Sequence, residues 1–215
     1  LNNESLTYHF PDPELADEDG LLAIGGSFDP LCILEAYRNG IFPWYVENGL
    51  IHWYSLDPRC VLFPEKVKVS ASMKQVFRKN EFEFSMNRAF ANVIEACKST
   101  PRKDDSGSWI DDEFVAAYIK LHQMGYAHSA ECWCEGELVG GLYGLKLGDV
   151  FFGESMFSLK SNASKFAFLS LVEMLKKQGL KLIDCQQETN HLMSLGADLI
   201  SRKLFTEMVR KFATS

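Results

Sequence analysis

The sequence predicts an α+β (mixed α/β) protein, with a small N-terminal α+β lobe over residues 1–62 and a regular layered domain over 63–215. Two features of the pattern carry that expectation. The first 62 residues are crowded with Pro, Gly and aromatic side chains and offer only short periodic runs. The remainder gives helical segments first, then alternating stretches joined by tight turns, then another helix and strand, which is the order of an α+β layer domain.

In the lobe, "LCILEAYRNG" reads as one helix stopped by Gly40, with short strands in "IFPWY" and "IHWYSLDPRCVLFP". Ser70 or Ser72 is placed to cap a helix running to about Arg78, since a Ser hydroxyl accepts from backbone N–H groups that the first turn leaves unpaired. "EFEFSM" alternates as a strand, and Asn87 is placed to cap a second helix to Cys97. "DDEFVAAYIKLHQMG" carries acidic residues in its first turn, where the helix dipole favours them, and ends at Gly125. "AHSAECWC" and "LVGGLYGLKL" are strands joined through Glu135 and Gly136, and "DVFFGESMF" follows a turn at Gly148 and Asp149. An apolar helix near 163–177, the strand "LKLID", a short helix and the amphipathic "RKLFTEMVRKF" complete the chain.

With 215 residues and 47% hydrophobic content, the chain can bury a substantial core. No run approaches the roughly 18 apolar residues of a membrane span, and the start lacks a signal peptide's basic and apolar regions, which predicts a soluble cytoplasmic protein. Residue 1 is Leu, so the native start is expected to lie elsewhere. The six cysteines lack paired metal-ligand spacing and are read as reduced thiols, with Cys132 and Cys134 on one side of a strand. No metal site is expected. A net charge of −7 argues against a generally basic, nucleic-acid-coating surface, yet nine of the 22 basic residues fall between Lys66 and Lys103. That run is either a solvated helix face or a local anion-binding patch.

Candidate chemistry sits where a bland core would not need it. Glu154 and Ser155 end an apolar strand beside Gly153, and "DCQQ" ends another. Phe42, Trp44 and Tyr45 crowd around Pro43, and Trp109 follows "DDSGS"; such rings are either small-core packing or stacking surfaces for a nucleobase. Phosphate-loop, nucleophile-elbow, HExxH and dinucleotide patterns do not occur, and the histidines are scattered.

"GIFPWY", "LDPR", "AAYIKLHQMGYAHSAECW", "ELVGGLYG", "FFGESMFS", "NASK", "LIDCQ" and "HLMSLGA" occur in the order expected of the leucyl/phenylalanyl-tRNA–protein transferase family, which the sequence resembles from about residue 8 to its end. The resemblance implies a GNAT-type acyltransferase domain behind the small lobe. It implies transfer of Leu or Phe, and less readily Met, from aminoacyl-tRNA to an N-terminal Arg or Lys, creating an N-degron for regulated proteolysis. It further implies a cytoplasmic monomer, no cofactor and no membrane.

By motif, the holders of the terminal adenosine and aminoacyl ester would be Tyr37, Trp44, Trp109 and Tyr118. The pocket for the amino-acid side chain would be lined by Leu142, Phe151, Ser155, Phe168, Leu171 and Ile183. Lys74, Arg78 and Lys79 would meet the tRNA backbone, giving affinity without reading sequence. The reaction centre would be Asp184 and Gln186, two apart and so on one strand face, with Glu154 binding the acceptor end. In that reading Asp184 orients Gln186 and stabilises the amine, while Gln186 accepts a hydrogen bond from it.

Two other readings compete. An acetyl-CoA-dependent acyltransferase would cradle pyrophosphate on a Gly-rich loop, but "SLKSNASKFAF" contains no glycine. A non-catalytic adaptor for basic N-termini would use Glu154 and Asp184 yet need no apolar aminoacyl pocket.

Overall fold

The computed structural model describes residues 8–100 and 111–213. In chain order the strands and helices are β1 (Leu21–Ile24), α1 (Pro30–Arg38), β2 (Phe42–Glu47), β3 (Leu50–Tyr54), β4 (Arg59–Leu62), α2 (Ala71–Lys79), β5 (Glu83–Met86) and α3 (Phe90–Ser99). They continue as α4 (Asp112–Gln123), β6 (Ala127–Cys134), β7 (Glu137–Leu147), β8 (Val150–Ser158), α5 (Ala163–Lys177), β9 (Leu182–Gln186), α6 (Asn190–Ser194), β10 (Asp198–Ile200) and α7 (Arg202–Phe212).

Local chemistry sets most of these boundaries. Asp29, Ser70, Asp111, Thr189 and Ser201 each accept from a first-turn N–H of α1, α2, α4, α6 and α7. Gly40, at φ +76°, takes the chain out of α1 in a conformation other residues adopt at a cost. Asn87 is a correction to the capping expectation: α3 starts behind Ala89, with no side-chain cap. Asn87 instead sits at φ +61°, its Oδ1 accepting from Ser129 N at 3.0 Å and its Nδ2 paired with His128. It ties the end of β5 to β6, a non-local use that capping rules do not see.

A three-stranded antiparallel sheet, in the order β1-β3-β2, forms the small lobe. The large sheet runs β10-β4-β9-β8-β7-β6-β5. β4 belongs to it although Arg59–Leu62 precede the expected division at residue 62. β10 is too short to announce itself, and pairing of Asp198 with Val61 and Ile200 with Arg59 makes it a strand.

Strand periodicity of two sorts the core into two layers. Val61, Tyr143, Phe152 and Leu182 join the cluster built with α1, α3, α4 and α7. Their neighbours Leu62, Leu142, Phe151 and Ile183 join the cluster built with α5. Adjacent side chains therefore face opposite sides of one sheet, and helices cover both. Gly140 lets α5 close on β7, because a Cβ there would lie 2.6 Å from that of Ala163.

All pairs in the large sheet are antiparallel except β8 with β9, which run parallel only as far as Phe152 opposite Asp184. Beyond that rung β9 stays with β4 and β8 stays with β7. The sheet splays open between them. Each of the two strands carries a bulge there. Tyr143 and Gly144 face Ser155 and Gly153, leaving Glu154 as the extra residue of β8. Val61 and Cys60 face Asp184 and Gln186, leaving Cys185 as the extra residue of β9. Bulges re-aim side chains and end pairing, and both lie where the sheet opens.

Candidate active site

Two adjoining cavities occupy the splay. The first, of about 160 Å³, has apolar walls from Leu142, Met156, Phe168, Ile183 and Leu192 and a polar end at Glu154, Ser155 and Gln186. The second, of about 190 Å³, lies towards the small lobe and is bounded by Phe42, Pro43, Trp44, Gln187 and Thr189. Glu154, Cys185, Gln186 and Leu192 line both, so they stand at the junction.

Of the six residues expected to line the side-chain pocket, Leu142, Ser155, Phe168 and Ile183 do so. Phe151 and Leu171 are a correction: both are fully buried behind the cavity in the α5 cluster, and they support the wall without touching the space. Met156 and Leu192 complete the wall unforeseen. The signal for Leu192 was faint, an apolar residue in the short "HLMSLGA" stretch.

Trp44 borders the second cavity, propped edge-on by Tyr54 at 4.6 Å between ring centroids. Trp109 lies outside the described residues. Tyr37 and Tyr118, expected among the holders of the terminal adenosine and aminoacyl ester, are completely buried and border neither cavity. Their hydroxyls are 2.9 Å apart, and that of Tyr37 donates to Glu154 Oε1 at 2.5 Å. They form a hydrogen-bonded column beneath the junction and reach the site only through Glu154. Burial, with the carboxyl close by, lifts both phenols well above their ordinary range, so they remain proton donors.

Glu154 borders the cavities with its carboxyl tucked inward. Oε2 is inaccessible and has no hydrogen-bond partner among the described residues. Burial pushes its pKa up to about 8, reinforced by Asp184 and opposed by the Tyr37 hydrogen bond.

Asp184 differs most from expectation. Its side chain is wholly enclosed and faces the α7 side of the sheet, where Arg59 grips both oxygens at 2.8 and 2.7 Å. The guanidinium is itself clasped between Phe42 and Phe205, 4.5 and 4.6 Å from the ring centroids. Asp184 Oδ1 also accepts the backbone N–H of Gln186 at 2.9 Å, which steadies Gln186 at φ +60°. Asp184 thus holds the turn at Gln186, in keeping with the expectation that it orients that residue, with both its carboxylate oxygens engaged by Arg59. The expected shared face fails because Gln186 leaves the extended conformation, and Cys185, between them, borders both cavities as Gln186 does.

Lys74, Arg78 and Lys79 are exposed on α2, with Lys79 near Glu81 at 3.8 Å. Lys74 and Arg78 are four residues apart and share a face; Lys79 points to its side. A separate groove of about 710 Å³ between α2 and α5 has Lys74 on its rim and Phe77, Leu169 and Val172 among its walls, and contains none of the expected aminoacyl residues.

An apolar cavity that ends at a carboxyl and a turned amide is thus set where a mixed sheet splays open. Residues 61–210 match the family model described as leucyl/phenylalanyl-tRNA protein transferase, and 26–57 match that of its N-terminal domain. The leucyl/phenylalanyl-tRNA–protein transferase of Syntrophobacter fumaroxidans is 53% identical over 93% of this chain and 86% of that protein. That of Pseudomonas entomophila is 51% identical over 96% and 91%. Among solved structures, a GCN5-related N-acetyltransferase-like protein from Streptococcus suis is similar at a TM-score of 0.39, with 15% identity over 79% of this chain and 63% of that one. The chain belongs to the leucyl/phenylalanyl-tRNA protein transferase family.

Proposed function

We propose that this chain transfers Leu or Phe, and less readily Met, from aminoacyl-tRNA to the N-terminal Arg or Lys of acceptor proteins, acting as a cytoplasmic monomer and marking them for proteolysis. The observation that carries the reading is the first cavity: an apolar slot between Leu142, Phe168 and Ile183 whose polar end is the Glu154 and Gln186 junction. An unbranched-at-Cβ side chain occupies the slot, and its ester carbonyl then lies at the junction. Trp44 stacks on the terminal adenosine, for which the sequence also names Trp109, and Lys74, Arg78 and Lys79 hold the tRNA backbone.

The ester carries its own activation, so the protein's task is alignment, which is worth up to roughly 7 to 11 kcal/mol. The acceptor amine attacks the ester carbon; its C–N bond forms, the bond to the ribose oxygen breaks, and the amine proton ends on the departing hydroxyl. Gln186 accepts a hydrogen bond from the amine and fixes its approach. Glu154 engages the cationic acceptor end, which favours the ionised carboxylate and draws its pKa down from about 8. Asp184 acts as a positioning residue, clamped by Arg59 and holding the Gln186 amide.

Incubation with radiolabelled Leu-tRNA and peptides beginning with Arg or Ala tests the reading. Label is expected on the Arg peptide alone. Equal labelling contradicts the acceptor specificity, and stabilisation by acetyl-CoA in place of aminoacyl-adenosine mimics would favour the acetyltransferase reading.

A further inference from the structure

The bulge of β9 leaves one chemically reactive group that the transfer reaction does not use. Cys185 is its extra residue, half-buried, and borders both cavities. Its partner strand carries Cys60, completely enclosed and opposite Gln186 in the register. Both are free thiols on the α5 side of the sheet, close enough that each perturbs the other's titration. At a bulge the extra residue and its neighbour share one residue of the facing strand, so Cys185 and Gln186 both stand across from Cys60, on adjacent strands as a disulfide requires.

We propose that Cys185 and Cys60 are an oxidisable thiol pair in the floor of the active site, in which a peroxide oxidises Cys185 and Cys60 resolves it to a disulfide that reversibly stops transfer. This rests on the aminoacyl-transfer reading only for its effect on activity. The chemistry closes without another co-reactant. Cys185 sulfur attacks a peroxide oxygen; the S–O bond forms, the O–O bond breaks, and one water leaves with the sulfenic acid. Cys60 then attacks the Cys185 sulfur; the S–S bond forms, the S–O bond breaks, and a second water departs. Two thiols lose two electrons, and hydrogen peroxide becomes two waters.

The placement assigns the roles. Only Cys185 reaches solvent through the cavities, so it meets the oxidant first, while Cys60 reaches only Cys185. The neighbouring Cys185 thiol draws the Cys60 thiol below its ordinary range, which suits the resolving nucleophile. The same contact, with burial, holds Cys185 well above its range, so little of it is thiolate and its oxidation is slow. A disulfide draws Cys185 towards β4 and with it Gln186, whose amide is fixed by Asp184 at 2.9 Å. Misalignment of this kind costs acyl transfer steeply.

The test uses the full chain treated with hydrogen peroxide. Non-reducing peptide mapping is expected to show a Cys60–Cys185 cross-link, with transfer down at least about tenfold and restored by dithiothreitol. Cys60→Ala and Cys60→Ser are expected to keep basal activity, form no such cross-link, and lose the dithiothreitol-reversible component. Absence of the Cys60–Cys185 peptide, a cross-link elsewhere, or a cross-link with unchanged activity each overturns the proposal. Mapping reads the thiols without any substrate. A reduced protein that transfers nothing to an Arg peptide therefore refutes the functional reading separately.

Discussion

Arg59 and Asp184, 125 residues apart in sequence, form a two-point ion pair from which solvent is excluded. The pair links three parts of the chain: β4 supplies the cation, β9 the carboxylate, and Phe205 of α7 one of the rings enclosing the guanidinium. Asp184 then hands the constraint to Gln186 through a single backbone hydrogen bond. The turn at Gln186 is thus fixed from beneath.

Removing only the cation leaves a buried carboxylate without its counter-charge. Arg59→Met is expected to cost about 3 to 5 kcal/mol, read from urea denaturation, and to reduce Leu transfer. Adding Asp184→Leu to it is expected to recover much of the stability but none of the transfer, because no carboxylate then holds the Gln186 amide. Recovery of both would show that the pair serves folding alone.

Glu154 gives a pH signature. Its folded pKa of about 8 stands above the ordinary 4.5, so between those values the native protein keeps a proton that the unfolded chain has released. Its contribution is fully present below about pH 4.5 and is lost as pH rises through about 8. The melting temperature of wild type relative to Glu154→Gln is therefore expected to fall across that window. In kinetics, acceptor binding is expected to strengthen through about pH 8 in wild type, while Glu154→Gln keeps only the limb belonging to the acceptor amine. Parallel pH profiles for the two proteins would remove Glu154 from acceptor binding.

The first cavity sets side-chain size. Leu142→Phe fills part of its roughly 160 Å³ and is expected to lower transfer from Phe-tRNA more than from Leu-tRNA. The expected separation is about 10-fold to 200-fold, the range that small changes of fit in hydrocarbon pockets provide. Competition between the two charged tRNAs measures it directly. An unchanged ratio would place the amino-acid side chain elsewhere.

The α2 cations are expected to contribute affinity and no chemistry. Lys74→Ala with Arg78→Ala should raise KM for aminoacyl-tRNA and flatten its logarithmic dependence on salt by about 0.7 to 0.9 for each phosphate no longer neutralised. Transfer from a short aminoacyl-adenosine donor should be unaffected. Equal losses with both donors would point to damage to the fold instead.

Local rules made much of the molecule legible. Glycine-containing turns marked the hairpins at Glu135–Gly136 and Gly148–Asp149, and Ser70 and Asp111 marked helix starts. Leu142 and Ile183, apolar positions in "ELVGGLYG" and "LIDCQ", were expected in one pocket and border the first cavity. Asn87 and β10 were not legible, because each is defined by a partner far away in sequence. Arg59 stood in the quoted "LDPR", but nothing near it in the chain names Asp184 as its partner.

The sequence by itself determined the α+β composition, the family and the short stretches "FFGES" and "LIDCQ" whose residues border the cavities. Only the tertiary structure decided what each letter in those stretches does. Alternation along "LIDCQ" assigns Asp184 and Gln186 to one face, but the bulge against β4 adds a residue and the turn at Gln186 ends the alternation. Asp184 is consequently enclosed with Arg59, and Cys185 borders the cavities. A bulge depends on hydrogen bonds to a neighbouring strand, so its position is a property of the assembled sheet.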